Sequence, residues 1–153
     1  MTITDILTRD RVIPELQATT KEGVLNELAG LLSGPTTGTD PSRLASVLRE
    51  RERLNSTAIG EGIAIPHGRL PGLRSVVAGF ARSPAGVEFD SVDKQPTHLF
   101  FVLVAPDDAA AMHLKALARI SRLLKDKEFR ARLLALSDRD QLYQAIVDED
   151  ARF

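Results

Sequence analysis

The longest strongly apolar run in the chain constrains its fold more than any other feature. It spans Leu99 to Ala105, within the segment THLFFVLVA at residues 97–105, and lacks the apolar/polar alternation of a half-exposed strand. This pattern is typical of a strand that is covered on both faces. A second strand is predicted over Ser75–Arg82, and glycine and proline residues punctuate the chain between the two.

Helical patterns lie on both sides of these strands. Apolar residues recur at helical spacing, and the predicted helices are Glu22–Ser33, a segment from Pro41 into the charged run RERER (49–53), Asp108–Lys125, Lys127–Leu136 and Arg139–Val147. This order predicts an α/β fold, with one domain over residues 1–153. We expect a mixed β-sheet of about five strands, flanked by helices on both faces.

Polar residues predict where the helices begin. Thr19 and Glu22 have the spacing of a capping box, and Asp40 is placed as an N-cap of the second helix. Asp107 or Asp108 can cap the helix that follows the strands. The RERER run is interpreted as a solvated helix face.

Composition excludes several classes of function. The 153 residues carry a formal net charge of −1, which argues against a protein that coats nucleic acid. With no cysteine, the chain has no disulfide, no thiol catalysis and no thiolate-bound metal. No segment approaches the roughly 20 apolar residues of a membrane span. Asp5, Arg9 and Asp10 interrupt any secretory signal, so a cytoplasmic protein without membrane insertion is expected.

The segment Asn55–Leu73, NSTAIGEGIAIPHGRLPGL, is interpreted as a loop because it is rich in glycine, proline and small hydroxyl residues. It is the most informative segment for function, since loops held by a rigid scaffold commonly carry function. GEGIAI is only a partial match to a dinucleotide fingerprint, and the chain holds neither a Walker loop nor a G-x-S-x-G elbow. The three histidines of the whole chain lack the spacing of metal ligands, so no metal is predicted.

His67 is a candidate nucleophile towards phosphorus. Near neutral pH an imidazole keeps one nitrogen lone pair free, and a phosphoramidate can pass its phosphoryl group on. Donors for the phosphoryl oxygens are available in Arg51, Ser56, Thr57 and the backbone beside His67, while Gly68 allows another group to approach closely. The alternative is that His67 is an ordinary exposed loop histidine.

His113 is the second candidate. Ala116, Leu117 and Ile120 follow it at helical spacing, so its side chain should lie along the apolar stripe at the start of the helix, where a catalytic helper could meet a loop residue. The alternative is a buried histidine bonded to a backbone carbonyl. His98, which begins the apolar strand, is interpreted as structural or surface.

The segment RERLNSTAIGEGIAIPHGRL, from Arg51 to Leu70, resembles the active-site segment of enzyme IIA domains of the bacterial phosphoenolpyruvate-dependent phosphotransferase system, in the mannitol/fructose/nitrogen-regulatory group. The resemblance extends over nearly the whole chain, through FDSVDKQPTHLFFVLVAP (89–106), HLKALARI (113–120) and LYQAI (142–146). Asn55 and Ala58 stand where the nitrogen-type segment commonly has glycine.

The resemblance implies that His67 is the phosphorylated histidine and that His113 is the second active-site histidine. It places Arg51 near the site and Ser56 and Thr57 along the pocket. It also implies an HPr-like phosphocarrier as donor, a regulatory target protein or a IIB domain as acceptor, and no cofactor; a homodimer stays open.

No HPr-like, IIB or membrane IIC domain accompanies the segment in this sequence, which favours the nitrogen-regulatory branch over a stand-alone fructose or mannitol IIA component. A binding adaptor that has kept the fold and lost phosphoryl transfer is the second class of function. The presence of both His67 and His113 favours a phosphoryl carrier.

Overall fold

The structure is a computed structural model that describes residues 1–35 and 37–153. A mixed β-sheet lies between two layers of helices, which confirms the predicted α/β class. Within these residues the sheet has six strands: β1 (Val12–Ile13), β2 (Ala58–Gly60), β3 (Ile63–Ala64), β4 (His67–Leu70), β5 (Val77–Val87) and β6 (Thr97–Pro106).

The apolar run forms β6, the centre of the sheet. β6 pairs antiparallel with β5 along one edge, and β3 and β4 lie in succession along its other edge, both parallel to it. β1 extends the sheet beyond β5, and β2 extends it beyond β3. Every residue of β6 except His98 is buried, as predicted for a strand covered on both faces.

The alternation of side chains along β6 divides the core into two. Leu99, Phe101 and Leu103 pack on one face of the sheet beneath the three C-terminal helices, and Phe100 and Val102 pack on the other beneath the two N-terminal ones. The layers therefore follow from the period of two in the strand.

The described helices are α1 (Lys21–Leu32), α2 (Pro41–Leu54), α3 (Ala110–Lys125), α4 (Lys127–Ala135) and α5 (Arg139–Asp150). Asp40 caps α2 as predicted, and its carboxylate accepts a hydrogen bond from the backbone N–H of Arg43. The other two predicted starts are wrong. Thr20, and not Thr19, caps α1 by accepting from the Gly23 N–H.

Helix α3 begins two residues later than predicted, because a turn precedes it. The Ala109 N–H donates to the Pro106 carbonyl, so Asp107 and Asp108 fall within the turn and Ala109 becomes the N-cap without a side-chain hydrogen bond. Neither aspartate therefore caps this helix. The first turn of α3 begins with Ala110 and carries His113 on its inner side.

The segment interpreted as a loop, residues 55–73, contains three short strands, β2 to β4. The two departures from the glycine pattern cause no strain. Asn55 lies in extended backbone with φ −173°, and Ala58 lies in β2 and does not have a positive φ. Neither position requires glycine in this fold.

Asp150 at the end of α5 connects the N-terminal segment to α3. Its buried carboxylate accepts from the Ile3 N–H at 2.9 Å and from Arg119 on α3 at 2.5 and 3.1 Å. Among the helices of residues 1–35 and 37–153, none is long and apolar enough to cross a membrane.

Candidate active site

Strand alternation places the segment IAIPHG between two helix layers. Ile63 and Ile65 belong to the core beneath α3, whereas Ala64 belongs to the core beneath α1 and α2. By the same period, His67 faces α3 and Gly68 faces α2. A Cβ atom on Gly68 would lie 2.4 Å from Cγ1 of Val47, which shows how closely α2 approaches β4.

The fold brings His67 and His113 together. Their ring centroids are 5.5 Å apart, with an angle of 69° between the ring planes. His67 is half-buried at the start of β4, and His113 is only 8% exposed in the first turn of α3. His113 points inward along the apolar stripe, where the sequence places it.

The hydrogen bond of His67 defines its neutral tautomer. Nδ1 lies 2.6 Å from the carbonyl oxygen of Ile65. A carbonyl oxygen can only accept, so Nδ1 carries the proton and Nε2 keeps the lone pair. Nε2 is therefore the nucleophilic nitrogen of the neutral ring.

Both histidines are biased towards the neutral form at neutral pH. Burial lowers the pKa of His67, and the nearby Arg51 charge adds to this, against the opposing effects of the Ile65 carbonyl and the Glu52 carboxylate. Burial lowers the pKa of His113 to about 4, with smaller contributions from His67 and Arg69. Among the residues that the structure describes, the buried Nε2 of His113 finds no hydrogen-bond partner, which is unusual for a structural histidine.

A cleft of about 550 Å³ opens beside the two rings. Its walls are contributed by α2, β4 and α3, and its lining includes His67, His113, Gly68, Arg51 and Arg69. Two arginines therefore lie at the cleft that holds the histidine pair. Nη1 of Arg51 donates to the backbone and side-chain oxygens of Asn55 at 3.0 and 3.1 Å, which fixes the arginine at the end of α2.

Ser56 and Thr57 are not among the residues that line this cleft. The Ser56 hydroxyl donates to the Phe89 carbonyl at 2.8 Å, and the Thr57 hydroxyl donates to Glu52. Thr57 is 3% exposed. Their hydroxyls hold the loop in place in this structure, so a direct contact with a phosphoryl group stays a prediction for both residues.

Glu52 is a buried carboxylate next to Arg51 that the sequence analysis missed. Its place in the RERER run predicted a solvated carboxylate, but Glu52 is 8% exposed and contacts Thr57. Glu50, by contrast, is exposed at the edge of the cleft. Helical spacing could have indicated this burial, because Glu52 follows the buried Leu48 by four positions and therefore lies on the same face of α2.

His98 lies outside the site. Its Nδ1 is 2.9 Å from the carbonyl oxygen of Ser83, and its ring packs where a side chain on Gly86 would have to fit. This placement agrees with a structural role.

The fold and the histidine pair define the class of protein. Both are as expected for a phosphotransferase-system IIA domain. A family model described as "Phosphoenolpyruvate-dependent sugar phosphotransferase system, EIIA 2" matches residues 5–149, and the chain belongs to this family.

Relatives within the family include proteins of two kinds. The chain is 42% identical over 146 residues to a nitrogen regulatory protein of Bradyrhizobium diazoefficiens, a match that covers 95% of each chain. It is 35% identical over 150 residues to the fructose-specific EIIABC component of Bacillus subtilis, which covers 98% of this chain and 24% of that protein. The crystal structure of the nitrogen regulatory protein IIA-Ntr from Neisseria meningitidis superposes with a TM-score of 0.88 at 28% identity, covering 94% of this chain and 98% of the other.

Proposed function

We propose that the chain is a cytoplasmic phosphoryl carrier that accepts a phosphoryl group on His67 and acts as a nitrogen-type regulatory IIA protein. The observation that carries the proposal is the histidine pair at the cleft, with the Nδ1 proton of His67 held by Ile65 and its lone pair on Nε2. Phosphoryl transfer asks a protein mainly for positioning and charge stabilisation, and this site supplies both.

The step transfers one phosphoryl group from an HPr-like phosphocarrier. The Nε2 lone pair of His67 forms the new P–N bond while the bond from phosphorus to the donor breaks, and the donor atom that carried the phosphorus keeps that electron pair. The Nδ1 proton stays on His67, bonded to the Ile65 carbonyl. No proton has to leave the accepting ring during the step.

The surroundings of His67 can stabilise the transferred charge. Arg51 and Arg69 line the cleft, and the N-terminus of α3, where Ala110 also lines it, presents unpaired backbone N–H groups. Because the pKa of His113 is about 4, this ring is neutral at pH 7 and can donate an N–H to a phosphoryl oxygen. The unpartnered Nε2 supports this role.

The acceptor is a regulatory target protein in this proposal. The 42% identity to a nitrogen regulatory protein over 95% of both chains favours this branch. A phosphate on His67 adds about −1.5 to −2 charge to a cleft that holds two arginines, and it thereby changes which surfaces can dock there. A sugar-branch IIA component that passes the group to a IIB domain is the second candidate, favoured by the 35% identity to the fructose-specific relative.

The direct test is a phosphorylation assay with phosphoenolpyruvate, enzyme I and an HPr-type carrier from each branch. We expect an acid-labile, alkali-stable phosphate on the wild-type protein and none on His67→Ala. His98→Gln is the matched control, because His98 lies outside the cleft, and it should be labelled like the wild type. An unlabelled wild type, or label that survives in His67→Ala, would refute the proposal.

Two further measurements separate the candidates. His113→Ala should slow transfer at least about tenfold with the fold intact, because one donor to the phosphoryl group is lost. Faster labelling by the nitrogen-branch carrier supports the regulatory role, and faster labelling by the sugar-branch carrier supports the second candidate. Equal affinity of a regulatory partner for phosphorylated and unmodified protein would exclude the switch.

A further inference from the structure

The charged run at the end of α2 contains one carboxylate that the fold removes from solvent. The side chain of Glu52 is 5% exposed, although the arginines on either side of it, Arg51 and Arg53, are half-buried and exposed. A buried carboxylate is costly unless it is paired and hydrogen-bonded. The partners of Glu52 therefore indicate what it does.

Glu52 has two partners, and they lie on different elements. Its Oε1 accepts from the Thr57 N–H at 3.0 Å and from the Thr57 hydroxyl. Its Oε2 lies 2.9 Å from Nζ of Lys21, at the start of α1. The carboxylate thus joins the turn after α2 to the neighbouring helix, and neither it nor its two partners are among the residues that line the cleft.

Thr57 connects Glu52 to the segment that leads into β4 and His67. Its carbonyl accepts from the Ile65 N–H at 3.1 Å, next to the β2–β3 pairing of Ala58 with Ala64. The Ile65 carbonyl in turn accepts from Nδ1 of His67 at 2.6 Å. Three consecutive contacts therefore connect the Glu52 carboxylate to the ring that is proposed to take the phosphoryl group.

A second set of contacts holds the same turn. The Ser56 hydroxyl donates to the carbonyl of Phe89. Nζ of Lys21 lies 5.0 Å from the centroid of the Phe89 ring and 3.2 Å from a carboxylate oxygen of Asp90. The turn is therefore fixed at two successive residues, and Lys21 contacts both supports.

We propose that Glu52 is a positioning residue: through Thr57 and the Ile65 carbonyl it holds His67 in the Nδ1–H tautomer and orients Nε2 towards the cleft. This inference rests on the proposed function for its consequence, which is the rate of phosphoryl transfer. The tautomer itself is a property of the resting protein and can be measured without any transfer.

Two readouts test the proposal together. Nitrogen-15 NMR of the His67 ring gives the ratio of the two neutral tautomers, and the assay with an HPr-type carrier gives the rate. Thr57→Val removes one hydrogen bond to Glu52 and keeps the side-chain volume. It should lower both the tautomer ratio and the rate about fivefold, the factor expected for the loss of one hydrogen bond.

Two variants bracket this result. Thr57→Ser restores the hydroxyl donor and should recover the tautomer ratio and the rate relative to Thr57→Val, which a loss through packing alone would not predict. Glu52→Ala removes the acceptor of both hydrogen bonds and should lower both readouts by at least about tenfold, since it loses two bonds where Thr57→Val loses one. Glu22→Ala is the matched control, because Glu22 is an exposed carboxylate on α1 whose partner is Arg49, and it should leave both readouts unchanged.

The outcomes separate the two proposals. A wild-type tautomer ratio in folded Thr57→Val or Glu52→Ala overturns the role of Glu52, whatever the rate. If Glu52→Ala does not fold, Thr57→Val and Thr57→Ser decide the question. If the wild-type protein takes no phosphate, the proposed function fails, while the tautomer ratio still decides the role of Glu52.

Discussion

The buried position of His113 predicts how the stability of the protein depends on pH. The ring is 8% exposed, and its pKa in the folded protein is about 4, against an ordinary value of 6.5. Between these values the unfolded chain binds a proton on this residue and the folded chain does not. Protonation therefore favours unfolding, and stability falls as the pH drops from 6.5 towards 4.

The size of the effect follows from the shift. Each pKa unit corresponds to about 1.4 kcal/mol, so His113 should lower the free energy of unfolding by at most about 3 kcal/mol between pH 7 and pH 4. His113→Gln removes this titration and retains the titrations of other groups. The unfolding free energy of the wild type minus that of His113→Gln should therefore be lower at pH 4 than at pH 7, by up to about 3 kcal/mol.

Urea unfolding of both proteins at several pH values measures this difference, and a ring NMR titration of His113 measures the pKa directly. A difference that stays flat with pH, together with titration of His113 near 6.5, would refute the burial argument. A phosphorylated His67 should reverse the shift, because an adjacent negative charge favours the protonated ring and raises the pKa of His113.

Two further predictions concern packing. A Cβ on Gly68 would displace Val47 by about 1 Å, so Gly68→Ala should lower the unfolding free energy by about 1–3 kcal/mol. Val47→Ala in the same chain should recover part of this loss, and additive losses in urea unfolding would contradict the steric explanation. Asp150→Ala removes the buried partner of Arg119 and should cost about 3–5 kcal/mol in the same measurement, whereas the exposed Asp148→Ala should change little; equal effects would disprove the role of the buried pair.

The large elements of the fold could be predicted from the sequence because their hydrophobic patterns extend over many residues. The apolar run of β6 predicted a doubly covered strand, and Asp40 predicted the start of α2. The position of His113 on an apolar stripe placed its ring against the core, where it meets His67. These predictions depend on periodicity and local capping, which the sequence shows directly.

The remaining features depend on tertiary contacts. β3 has two residues and β4 has four, too few for a clear alternation, and both form because β6 offers them an edge. Glu52 is buried because folding brings Lys21 and Thr57 to it. The helical pattern of the sequence does not reveal these two partners. The tautomer of His67 likewise depends on where the Ile65 carbonyl points.

Phosphorus–nitrogen coupling in the phosphorylated protein labelled with nitrogen-15 identifies the atom that takes the phosphoryl group. We expect a one-bond coupling from phosphorus to Nε2 of His67, with the proton retained on Nδ1. Coupling to Nδ1 of His67, or a phosphoryl group on any other residue, would contradict it.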